Sequence, residues 1–372
     1  MNILFYYTSK EQAVSLSSLM IAFQKQGHQV SLLTHSEEGA LHEQVRKFGV
    51  KTSSYVLNKN SSFLFYFKHF LFLLSFIKKN KCQIVYSHIQ QANIIACFAQ
   101  YFTSAKVILC RHHSDYAYKG KNNNQKLFDK IINFIGKEFV VPSKKVFDQM
   151  VNVEGVRNKK IHLIPYAYNF EEYSKPEAFK VNQIREQYKC SLLLLTIARL
   201  IPEKRHYLQF EVINNLIKRK HDIKLIVLGD GIERTRLENY IKENALENSI
   251  YLLGHKSNIM DYIAASDMSV LISESEASNS AIKESALQKK TAIVCNDVGD
   301  FNEYIQNNVN GFIINKEYPE NELEKLLEDI YNKKINIVDK GEKLYQAVFE
   351  MFSIDNIIKK YDSINGRLVI SD

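Results

Sequence analysis

Two glutamates, Glu276 and Glu284, stand with seven residues between them in the run Ser273-Glu274-Ser275-Glu276-Ala277-Ser278-Asn279-Ser280-Ala281-Ile282-Lys283-Glu284. The apolar segment Asp267–Ile272 before them reads as a buried strand. Ser285–Lys290 reads as helix and Thr291–Cys295 as the next strand. Eight steps along one helix turn through about 800°, leaving the two side chains about 80° apart, so a continuous helix does not aim both at one point. With Glu276 on the loop and Glu284 in the first helical turns, both can face a ligand at the helix N-terminus. The unpaired N–H groups there attract an anion. Two carboxylates beside a phosphate site suit a ligand that carries both hydroxyls and phosphates, such as a nucleotide-sugar.

Other chemistry-bearing residues also follow apolar runs. Arg199 and Lys204 lie just after Leu192–Ile197. Arg can grip two phosphate oxygens and Lys acts as a point charge. Cations at a helix start oppose the macrodipole, a local conflict that points to function rather than to two ordinary surface residues. Gly229-Asp230-Gly231 follows Lys224–Leu228 and reads first as a turn. Arg111-His112-His113 follows Val107–Cys110, and His88 follows Ile84–Ser87. Adjacent histidines on an extended chain diverge, and no further ligand cluster accompanies them, so no metal site is expected.

These elements together resemble the retaining glycosyltransferases of family four. Their signature is Glu-Gly-aromatic-Pro, four residues, then Glu-Ala. The equivalent here is Glu276-Ala277-Ser278-Asn279, Ser280 to Lys283, then Glu284-Ser285. Ala198-Arg199-Leu200-Ile201-Pro202-Glu203-Lys204 is similar to the family's Gly-Arg-Leu-x-x-Glu-Lys element. The resemblance implies a GT-B fold: two doubly wound domains facing a central cleft, with the last helix crossing back onto the first. Arg199 and Lys204 would neutralise the donor diphosphate, and Glu276 would bind hydroxyls of the transferred sugar. Glu284 would accept from the ribose diol. The backbone of Ser278, Asn279, Ser280 and Ala281 would meet phosphate or sugar oxygens. Gly229 would belong to a Gly-x-Gly turn, and Leu253 and Gly254 would hold the base through backbone groups. His112 would lie near the anomeric centre. His88, His113, Ser9 and Lys10 would lie on the acceptor side. No metal or cofactor is implied, and the nucleotide-diphosphate sugar is a substrate.

The chain departs from the family in three places. Ala277 and Asn279 replace Gly and Pro, Asp300 replaces the second Gly after Asp297-Val298-Gly299, and the first loop reads Thr8-Ser9-Lys10-Glu11 without the usual glycine pair. These changes keep open a non-catalytic partner in a glycan assembly complex. A sugar-nucleotide epimerase is a third reading.

Strands and helices alternate along both halves, which implies parallel sheets covered on both faces. Expected strands are Ile3–Tyr7, Val30–Thr34, Ile84–Ser87, Val107–Cys110, Phe139–Val141 and Ile161–Ile164. The second set is Leu192–Ile197, Lys224–Leu228, Ile250–Leu253, Met268–Ile272, Ala292–Cys295 and Phe312–Ile314. We expect an acceptor domain over 1–170, with residues 352–365 packing back on it, and a donor domain over 171–351. The linker falls within Pro165–Glu186.

Apolar content of 45% and charge of 24% are ordinary for a globular protein of 372 residues. The net charge of +8 divides as +13 over residues 1–170 and −5 over 171–372, so the first half should face something anionic. With no nucleic-acid module in the sequence, a membrane surface or a phosphate-bearing acceptor fits better than nucleic acid. Phe63–Ile77 is too short and too interrupted by Lys68 and His69 to span a bilayer. It is also more apolar than one buried helix face requires. It reads as an interfacial helix with Lys78, Lys79 and Lys81 at anionic headgroups, against the plainer reading of a core helix. Five scattered cysteines and an N-terminus without a basic leader suggest a reducing cytosol, and the interfacial reading of Phe63–Ile77 with the basic first half implies a peripheral place on the inner face of the plasma membrane. The expected function is transfer of a sugar to a hydroxyl acceptor, a glycan or lipid-linked one, in surface polysaccharide or lipopolysaccharide synthesis.

Overall fold

Every strand-to-strand pairing in the computed structural model, which describes residues 1–11, 13–57, 62–112 and 123–366, is parallel. The chain divides into two units: Met1–Phe170 with the chain from Phe352, and Glu171–Met351. The first holds β1 (Asn2–Tyr7), β2 (Gln29–Thr34), β3 (Lys51–Ser54), β4 (Ile84–His88), β5 (Lys106–Cys110), β6 (Phe139–Val141) and β7 (Ile161–Leu163), in the order β3-β2-β1-β4-β5-β6-β7. The second holds β8 (Leu192–Ile197), β9 (Ile223–Leu228), β10 (Ile250–Leu252), β11 (Met268–Leu271), β12 (Ala292–Cys295) and β13 (Phe312–Ile314), in the order β10-β9-β8-β11-β12-β13.

Apolar side chains explain the central strands. Every residue of β4, β11 and β12 is buried, as a sheet covered on both faces requires. β3 lies at an edge. Its sequence, Lys-Thr-Ser-Ser, carries no apolar signal, and this strand was not expected. The strand order reverses between β1 and β4 in one unit and between β8 and β11 in the other. Ligands of such sheets bind beyond the carboxyl ends of the strands at this reversal. Thr8–Lys10 and His88 stand there in the first unit. Arg199–Lys204 and Glu274–Asn279 stand there in the second.

Part of the stretch expected as linker is helical, because Ala178–Gln187 folds over Ile184 and Tyr188, which are buried in the second core. The helix Ile354–Gly366 belongs to the first unit. Ile357, Ile358, Tyr361 and Ile364 join Phe5, Phe23 and Tyr86 in one core cluster. The Tyr86 hydroxyl donates to Asn365 Oδ1 at 2.6 Å.

Helix Ser62–Lys79 has two faces. Phe65, His69, Leu73 and Ile77 are buried, whereas Phe63 is 80% exposed and Phe67 and Leu71 are about half exposed. With Tyr66, Phe70, Ile94, Ile95, Phe98 and Phe102, Phe63 and Phe67 line an apolar groove of about 300 Å³. Among the described residues no helix is long and apolar enough to cross a membrane.

Candidate active site

In the second unit the loops after β8 and β11 meet at the reversal. Lys204 Nζ donates to Glu276 Oε1 to form an ion pair, and both side chains are about one-tenth exposed. The same oxygen accepts from Ser273 Oγ at 2.9 Å and Asn279 Nδ2 at 3.3 Å. Lys204 lies in the short turn Pro202–Lys204 ahead of helix His206–Lys218 and is not part of that helix. Arg199 is exposed on the same loop. A residue that the sequence did not single out secures this loop. His206 is fully buried, and its Nε2–H donates to the Arg199 carbonyl at 3.0 Å. Burial lowers its pKa to about 4, so the ring is neutral at pH 7.

Glu276 lies on the loop, and Glu284 lies inside helix Ser280–Leu287, which ends earlier than expected. Asn279 caps that helix, its Oδ1 accepting from Ile282 N at 3.1 Å, which leaves neighbouring N–H groups for an anion. Ser278, Ser280 and Ala281 surround the same terminus. Burial raises the Glu284 carboxyl to about 6, while the Ser280 hydroxyl and the Lys283 charge pull the other way.

Gly229 has φ +136°, and a Cβ there would meet the Ala198 carbonyl oxygen at 2.0 Å. Its N–H donates to the Gly254 carbonyl at 2.9 Å, and Leu253 N donates to Val227 O at 3.0 Å. Gly229 therefore lets the loops after β8, β9 and β10 pack together, a close-approach role consistent with a turn.

In the first unit His88 is buried and stacks on Phe5. His88 Nδ1 lies 2.9 Å from His112 Nε2, and His112 Nδ1 lies 2.6 Å from the Tyr166 hydroxyl. Burial, with His112 second, holds the His88 pKa well below its usual value, so this ring is neutral. Ile89, the next residue, has φ +73°, a strained setting for a β-branched side chain. Arg111 anchors the His112 loop through a buried bidentate pair with Glu154. Tyr166 and Glu154 come from distant chain positions, and neither carried a local signal. Ser9 Oγ accepts from Glu11 N at 3.1 Å, and Lys10 Nζ lies 3.8 Å from Glu37. His113 falls outside the described residues. Among the described residues no group of three or more His, Cys, Asp or Glu side chains could hold a metal.

Two family models match the chain. "Glycosyltransferase Family 4" covers residues 12–172 and "Glycosyl transferases group 1" covers 174–348. One relative is the UDP-Gal:alpha-D-GlcNAc-diphosphoundecaprenol alpha-1,3-galactosyltransferase of Escherichia coli. It is 25% identical over 346 residues, covering 88% of this chain and 85% of that one. The poly(ribitol-phosphate) alpha-N-acetylglucosaminyltransferase of Staphylococcus aureus is 20% identical over 182 residues, 49% of this chain, and the match spans only 37% of that relative's length. Among solved structures, Anabaena HepE in complex with UDP-glucose has a TM-score of 0.83 at 16% identity, covering 98% of this chain and 100% of that one. A glycosyltransferase from Rickettsia africae has a TM-score of 0.82 at 21% identity, with 100% and 99% covered.

Proposed function

Because this chain belongs to glycosyltransferase family four and has the GT-B fold, we propose that it moves a sugar from a nucleotide-diphosphate donor to a hydroxyl of a surface glycan under assembly. The observation that carries the reading is the meeting of Lys204 and Glu276 beside the N-terminus of helix Ser280–Leu287. Lys204 exchanges Glu276 for the diphosphate when donor enters. Arg199 and the free N–H groups of the helix complete the anion site, while Glu276 is released toward the sugar hydroxyls. Negative charge builds on the leaving diphosphate as the sugar–phosphate bond breaks, and fixed cations there stabilise the transition state. Glu284 accepts from the ribose diol. The acceptor attacks on the same face, and the leaving diphosphate takes its proton through a short-lived ion pair, which retains anomeric configuration. His112, held by His88 and Tyr166, borders the anomeric carbon, and Ser9 and Lys10 lie on the acceptor side.

A UDP-sugar donor is supported by the HepE likeness, and a lipid-linked acceptor by the E. coli relative. The acceptor is reached at an anionic membrane surface. Between Glu43 and Asp115 the sequence has ten lysines and arginines and no acid, and the exposed phenylalanines of Ser62–Lys79 lie in this stretch. Electrostatic attraction and shallow apolar insertion act together at such a surface.

Thermal melting with a panel of UDP-, GDP- and TDP-sugars tests the donor site, since a bound donor raises the melting temperature by mass action. Glu284→Ala should weaken donor binding, and Lys204→Ala should mainly lower turnover, by about a hundredfold or more, as for loss of one transition-state charge contact. Wild-type affinity and rate in both variants would refute the assignment.

A further inference from the structure

We infer that Lys283 and Asp300 form a clamp that positions Glu276, replacing by a buried ion pair the backbone stiffness that Ala277 and Asn279 do not supply. The inference rests on the donor-site reading above and deepens it. Both side chains are 1% exposed, and Lys283 Nζ lies 2.8 Å from Asp300 Oδ2. Lys283 also donates to Ser278 Oγ at 3.0 Å and to the Asn279 carbonyl at 2.9 Å. Ser278 Oγ donates to the same Asp300 oxygen at 2.5 Å. One lysine and one aspartate thus hold two successive residues of the loop that carries Glu276.

The loop after β12 is fastened to the same place. Gly299, one residue before Asp300, has φ +54°, and a Cβ there would lie 2.9 Å from Glu276 Cβ and 3.4 Å from the Ala277 carbonyl oxygen. The backbone after β12 therefore touches Glu276 directly, and Asp300 fixes the spacing. Lys283 is the fourth residue of helix Ser280–Leu287, next to Glu284, and a lysine there normally points to solvent. Here its ammonium turns back to the helix start, where it opposes the macrodipole. Two buried charges are worth retaining for stability only when well satisfied, and replacement by apolar groups is often neutral. A role in placing the loop accounts for them better than stability does. Neither residue need touch the substrate, so both are positioning residues.

The test uses the full chain with Lys283→Met and Asp300→Asn combined, which removes both charges together and leaves no uncompensated one. Asp300 Oδ1 has no hydrogen-bond partner, so the amide breaks no bond on that side while the other oxygen still accepts from Ser278. Amide hydrogen exchange over Glu276–Asn279 should accelerate about tenfold or more, while β8 and β11 keep their protection. With UDP-glucose, UDP-galactose and UDP-N-acetylglucosamine as donors, kcat should fall about tenfold with KM within about threefold. In a Glu276→Gln background the pair should cost nothing further, because it acts through Glu276. Ser278→Ala, a milder change, should shift both readouts in the same direction.

Unchanged exchange over Glu276–Asn279, or a kcat loss that adds in full to that of Glu276→Gln, would overturn the clamp. If the wild-type protein turns over none of the three donors, that counts against the proposed donors, and hydrogen exchange alone then decides the clamp.

Discussion

Glu284 joins function to a stability cost at one residue. Its carboxyl sits between Ser280 and Lys283 and near Tyr173, and burial lifts its folded pKa to about 6 from an ordinary 4.5. Between those values the folded chain keeps the proton and the unfolded chain releases it, so stability falls as pH rises through that window. By pH 7 the ionised group costs about 2 kcal/mol. Glu284→Gln should therefore raise the melting temperature at pH 7.5, and should have little effect at pH 4, where the folded wild-type group is already neutral. The same change should weaken UDP binding. In the wild type, lowering the pH from 7.5 to 5 should weaken UDP binding as well, because a protonated carboxyl loses acceptor strength. Calorimetric titration of UDP at both pH values, alongside melting of the Gln variant, checks each sign. A Gln variant with no added stability at pH 7.5 would mean that burial does not oppose the charge.

Helix Ser62–Lys79 separates packing from membrane contact within one element. Phe63→Ser with Phe67→Ser should reduce sedimentation with anionic vesicles at a smaller cost in melting temperature than a core truncation, since Phe63 is 80% exposed and Phe67 about half exposed. Leu73→Ala, at a position 1% exposed, should cost about 2–5 kcal/mol and leave vesicle binding of the folded protein intact. High salt should release the wild type by screening Lys78 and Lys79. A large loss of stability from the serine pair, with vesicle binding unaltered, would remove the membrane reading. The same helix shows how far the sequence could be read: its apolar excess was visible, but which phenylalanines face the core depends on the helices beside it. Apolar runs such as Leu192–Ile197 and Ala292–Cys295 announced their strands to the residue, because burial on both faces leaves few polar positions. Lys51–Ser54 did not, because an edge strand needs only backbone pairing. Glu276, Glu284 and Lys204 were legible through their spacing and their place after strands. Tyr166, Glu154, His206 and Lys283 were not. Each acts through a contact made by the fold, and their local sequence is that of ordinary loops and helices.

At the scale of the whole molecule, each unit has its own sheet and its own core, and the chain enters the first unit twice. Helix Val338–Phe352 ends where Tyr168 N donates to Phe352 O at 2.9 Å and Ile354 N donates to Tyr168 O at 3.0 Å. The chain then runs through Ile357, Tyr361 and Ile364 into the core that holds Phe5, Phe23 and Tyr86. Burying each large apolar side chain contributes about 1.5–3 kcal/mol, so removing this helix takes away a large share of what a single domain has in reserve. A chain ending at Met351 should therefore lose the cooperative melting of the first unit. The second unit has no such dependence on the C-terminal helix. It should still melt as one transition, and UDP at about a hundred times its dissociation constant should still stabilise it by about 2.7 kcal/mol. Differential scanning calorimetry of the shortened and full chains, with and without UDP, measures both effects. Loss of the UDP shift in the shortened chain would show that the donor site needs the first unit. Retention of two full transitions would show that the last helix contributes little to the core it enters.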